Sequence, residues 1–77
     1  MNLLEGIKTN RKIIKLGRKL INEDYPTIKE GEKILEEYEG LVESINNSKI
    51  KEKFVEMDYY LGSLLEDNWI LGYKPID

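Results

Sequence analysis

Apolar side chains recur at helical spacing along three stretches of this chain, and two short polar breaks separate them. With successive residues about 100° apart round a helix, Leu3, Ile7, Ile13, Ile14, Leu16, Leu20 and Ile21 fall on one half of a helix spanning residues 2–22. Lys8, Arg11, Lys12, Lys15, Arg18 and Lys19 gather opposite them in an arc of about 120°. Leu4 falls out of pattern, on the polar side near the end. Gly6 and Gly17 sit within the apolar half; there a missing side chain costs about 1 kcal/mol of helix propensity but lets another backbone come close. Asn10 shares that strip, either as an edge residue bonded to water or as a polar group that sets the register of a helix interface.

Asn22 to Pro26 interrupts the pattern, because proline disfavours helical geometry at Tyr25. Thr27 followed by Glu30 has the form of a capping box, so a second helix is expected over 27–46. Its apolar arc holds Ile28, Ile34, Leu35, Tyr38, Leu41, Val42 and Ile45, with Gly31 at the centre and Glu32, Glu36, Glu39 and Glu43 down one flank. Asn46, Asn47 and Ser48 form the next break, with Ser48 the expected N-cap of a third helix over 49–69. Ile50, Phe54, Met57, Leu61, Leu64 and Leu65 make its seam in the rhythm of bundled helices, while Val55, Tyr59 and Tyr60 stand outside it. Gly72 and Pro75 end the helix; residues 70–77 are expected as an extended tail pinned by Trp69, Ile70, Leu71 or Tyr73. Helices of about 20 residues, roughly 30 Å long and joined by short turns, predict an all-α fold: one domain, a small antiparallel three-helix bundle drawn tight by its glycines.

Charge changes the picture more than composition does. Residues 1–22 carry six basic groups and one acid, residues 23–48 two and eight, so opposite charges lie beneath a net charge of −3. Packed side by side, the basic arc of the first helix and the glutamate edge of the second should pair, which serves helix-pairing specificity more than stability. Histidine and cysteine are absent, which removes zinc sites, disulfides and imidazole bases, and leaves Ser44, Ser48 and Ser63 without a catalytic partner. Glu36, Glu37 and Glu39 are similar to the first carboxylate motif of all-α nucleotide pyrophosphatases of the MazG type, but the resemblance implies a second acid pair three apart on the next helix, and three residues after Glu52 and Glu56 stand Val55 and Tyr59. No run of 18 apolar residues or secretory leader is present, so a cytoplasmic location is expected, without a membrane and without a cofactor.

What remains is binding. Val55, Tyr59, Tyr60, Trp69 and Tyr73 are the candidate contacts to another protein, since tyrosine and tryptophan offer large area at low entropic cost. The competing reading has the C-terminal tail fold back so that Ile70, Leu71 or Tyr73 covers that strip. A marginal monomer core also predicts a homo-oligomer, first a dimer. Lysine-rich, alanine-free composition points to an AT-rich genome, and a small chain without chemistry fits a phage- or mobile-element-encoded inhibitor of a host system that acts by blocking. The alternative is a nucleic-acid-associated regulator using Lys8, Arg11, Lys12, Lys15, Arg18 and Lys19, although a pI of about 5.0 and the lack of stacking aromatics beside them weigh against it. A second alternative is an oligomer that encloses a small anionic, nucleotide-like ligand between basic faces.

Overall fold

The computed structural model describes residues 3–77, and side chains from residue 8 onward. It is an all-α up-down-up bundle, 42 × 18 × 16 Å, of α1 (Leu3–Ile21), α2 (Ile28–Glu43) and α3 (Ser48–Ile70). The expected start at Asn2, the apolar roles of Leu3 and Ile7, the outlying Leu4 and the close approach at Gly6 lie outside the described residues and side chains.

The core is narrower than the apolar arcs. Ile13, Leu16 and Leu20 of α1 meet Ile28, Tyr38 and Val42 of α2 and Leu61 and Leu65 of α3, with Ile34, Leu35, Leu41, Ile45, Phe54 and Val55 packed around them. Ile14 and Ile21, on the edge of the first arc, are exposed, as are Ile50 and Met57 of the expected α3 seam. Val55 corrects the reading in the other direction. It turns inward against the core.

Tyr25, in the break between α1 and α2, is a core residue too. Its ring is buried, its hydroxyl accepts a 2.8 Å hydrogen bond from Nδ2 of the buried Asn68, and Lys74 lies 4.9 Å above the ring centre. Gly31 makes room for this arrangement. A Cβ there would stand 2.6 Å from Cδ1 of Leu65 and 3.1 Å from the Tyr25 ring, so close packing at this glycine is real. Gly17 differs, since a Cβ there would lie at an ordinary 3.6 Å from the ring of Tyr38.

Every amide in the first turn of α2 has a partner, as helix N-termini require. Thr27 Oγ1 accepts from Glu30 N at 3.1 Å, as the capping signature predicts, and Thr27 O accepts from Gly31 N. The two remaining donors, Ile28 N and Lys29 N, bond Pro75 O at 2.8 Å and Ile76 O at 3.0 Å. The tail is therefore pinned, but by its backbone: Ile70, Leu71 and Tyr73 stay exposed. Lys29 adds an ion pair to Asp77.

Most boundaries fall within a residue of expectation, with Ile70 the last residue of α3 and not the first of the tail, but two helix ends differ in how they are closed. α2 ends at Glu43, where Ser44 Oγ donates back to Leu41 O at 2.7 Å and closes the last turn. α3 is capped by Asn47, not Ser48: Asn47 Oδ1 accepts from Lys49 N and Ile50 N.

Candidate binding surfaces

The six cations of α1 are all exposed along one face. Only Lys12 has an ion-pair partner among the described residues, Oε1 of Glu37 at 2.9 Å. The acidic row of α2 is directed elsewhere, with Glu43 reaching Lys51 of α3 at 3.5 Å. The expected interlocking of basic arc and glutamate edge thus reduces to one solvent-exposed pair. Arg11, Lys15 and Lys19 border two shallow open clefts with Arg18 on one side and Lys12 on the other.

The aromatic candidates separate. Tyr59 is 75 % exposed and Tyr73 71 %, with Trp69 and Tyr60 each at 54 %, whereas Val55 is packed inward. Tyr59 and Tyr60 point about 100° apart as neighbours on a helix must, so Tyr60 belongs to the α1 side of α3 and Tyr59 and Trp69 to the α2 side. Trp69 edges a depression lined by Leu35, Gly62 and Leu65. Ile70 and Leu71, which the sequence pattern treats as tail anchors, and Ile76 join Trp69 and Tyr73 as exposed apolar surface near the C-terminal end of α3.

A third surface carried no sequence signal of its own. Ile14, Gly17 and Ile21 of α1 and Phe54 and Met57 of α3 line a groove of about 250 Å³ whose floor includes Tyr38. Its parts are split between two helices distant in sequence, and each read singly as core.

Titratable groups of α2 and α3 come together beside the groove floor. Tyr38 donates its hydroxyl to Phe54 O at 2.9 Å, and burial, with the charge of Asp58, pushes its pKa up to about 12. Glu39 is held above the usual carboxylate range by burial first, then by hydrogen bonding to Asp58 and the charges of Asp58 and Glu36. Oδ1 of Asp58 is buried with no hydrogen-bond partner. These acids repel at neutral pH, and no group of three metal-ligating side chains gathers among the described residues. No helix among them is long and apolar enough to cross a membrane.

Comparison with protein-family models, with curated proteins and with solved structures finds no match for this chain.

Proposed function

We propose that this chain is a non-catalytic protein-binding module that occupies a partner's surface with the apolar side chains exposed toward the C-terminal end of α3. One observation carries the reading: among the described residues, eleven large apolar side chains are exposed while nine hydrophobic ones form the buried core. Exposed apolar residues are ordinary singly, but a run of Trp69, Ile70, Leu71 and Tyr73 with Tyr59 nearby is the composition of an interface centre. Blocking a host protein, as a phage- or mobile-element-encoded inhibitor does, is the role such a surface on so small a chain serves best, and self-association is a further use of it.

A photo-crosslinking residue at position 73 tests this. The expected result is one discrete protein adduct from the host lysate, lost with Tyr59→Ala or Trp69→Ala and little changed by salt. Binding that ignores both substitutions overturns the reading.

The cations of α1 other than Lys12, which have no ion-pair partner among the described residues, favour a second reading, a nucleic-acid-associated regulator. It predicts duplex binding that falls steeply with salt and disappears on changing Lys12, Lys15 and Lys19 to glutamate.

A further inference from the structure

The bundle does not close evenly round its core. α1 and α3 each pack closely on α2 but meet each other over far less of their length. The groove between them is the open seam that results. Its walls and floor are apolar, and the missing side chain of Gly17 deepens it down to the ring of Tyr38. Ile14 at 45 % and Met57 at 40 % exposure stand on either lip. Arg18 and Lys53 edge it as the polar side chains, and neither has an ion-pair partner among the described residues. Ile14 also belongs to the neighbouring cleft of Arg11, Lys15 and Lys19, so positive charge continues outward from the α1 lip.

An occupant must bury apolar surface and answer cations on both sides. A nucleic-acid backbone meets the cations but leaves the apolar floor unused. A second copy docked groove to groove would set Arg18 and Lys53 against the partner's own copies of them, which electrostatic complementarity opposes. A small molecule is a poor fit, because the groove is open and below the ~300–1,000 Å³ usual for such sites. We propose that the groove receives an amphipathic helix of a partner protein, one whose apolar stripe is flanked by Asp and Glu, laid down as a fourth helix of the bundle. Its aliphatic side chains enter over Gly17, and its carboxylates meet Arg18 and Lys53. Tyr59 lies two residues beyond Met57, about 160° round α3. This site therefore stands or falls separately from the aromatic surface proposed above.

The test is a titration of the full chain, followed by amide NMR shifts, with a synthetic 18-residue helix bearing a leucine stripe flanked by glutamates. A second peptide has lysine at every glutamate position. The expected result is shifts centred on 14–21 and 53–57, with the glutamate peptide bound at least about tenfold more tightly at low salt. The Arg18→Glu, Lys53→Glu double variant is expected to reverse that preference, and Ile14→Glu to abolish binding. All three positions are exposed, and unchanged far-UV circular dichroism checks the fold. Should Ile14→Glu unfold the chain, the charge reversal alone still decides. No shift at 1 mM glutamate peptide overturns the proposal. So does equal binding of both peptides, or shifts confined to the Tyr59 and Trp69 face. Displacement of the peptide by a DNA duplex that binds Ile14→Glu unchanged overturns it in favour of the nucleic-acid reading.

Discussion

Glu23 and Gly72 occupy equivalent places in two helix ends. After α1, Asp24 N bonds Lys19 O and Glu23 N bonds Leu20 O; after α3, Tyr73 N bonds Asn68 O and Gly72 N bonds Trp69 O. Both are the paired reverse bonds that close a helix through one left-handed residue, at φ +55° for Glu23 and +73° for Gly72. Glycine adopts that conformation freely, whereas a residue with a Cβ is strained by about 1 kcal/mol. Glu23→Gly is therefore expected to stabilise by about 0.5–1 kcal/mol and Gly72→Ala to destabilise by a similar amount in urea melts. Only one of these ends was legible in sequence, because glycine advertises the conformation and glutamate conceals it. The same contrast separates two glycines of α2. Gly40 faces open space, so Gly40→Ala should gain up to about 1 kcal/mol of propensity. Gly31→Ala must displace Leu65 and Tyr25, both buried, and is expected to cost about 1–3 kcal/mol. Tyr38 supplies a test in pH. Its folded-state pKa of about 12 lies above the usual 10, so the folded chain keeps a proton that the unfolded chain has lost. Its contribution is complete below pH 10 and is lost as pH rises toward 12, by at most about 1.4 kcal/mol per unit. An ultraviolet titration should show a late tyrosine ionisation, and Tyr38→Phe should remove that step.

The elements depend on one another at their ends more than their lengths suggest. α2 begins with two amides capped by its own Thr27 and two capped by the tail, so its first turn is completed by residues almost fifty positions away. A chain ending at Lys74 is expected to release Ile28 N and Lys29 N to water and to lose the Lys29 to Asp77 pair. Hydrogen exchange at those two amides should then accelerate well beyond any change at Gly31, whose bond to Thr27 O remains; uniform acceleration through α2 would show that the tail supports the whole helix instead. The three helices, their order and the Thr27 cap were readable because periodicity and capping are carried by side chains. The tail's attachment was not, since the carbonyls of Pro75 and Ile76 have no signature in residue type. Nor was the choice of Asn47 over Ser48 as cap, both being good caps and only the path of the chain deciding between them. Val55 is hidden from the sequence for a related reason: on the seam's flank it reads as free, but in the structure it packs against the core.

At the scale of the whole molecule, the segregated charge has a sign that can be measured. Had the basic arc of α1 interlocked with the acidic row of α2, added salt would screen attraction and weaken the fold. The structure instead leaves most of that arc unpaired among the described residues, with cations three and four apart repelling along α1, while Glu36, Glu39 and Asp58 repel across α2 and α3. The four ion pairs among the described residues involve side chains at least a third exposed, whose pairing contributes about 0–1 kcal/mol each. Repulsion should win, so raising sodium chloride from about 20 to 300 mM, where the Debye length falls below ~10 Å, is expected to raise the melting temperature. Charge reversal at Lys15 and Lys19 should diminish that rise by relieving the row it acts on. A melting temperature that falls with salt in the unaltered chain would mean that the basic arc is satisfied within the molecule, and it would remove the physical ground for an acidic partner at the α1–α3 groove.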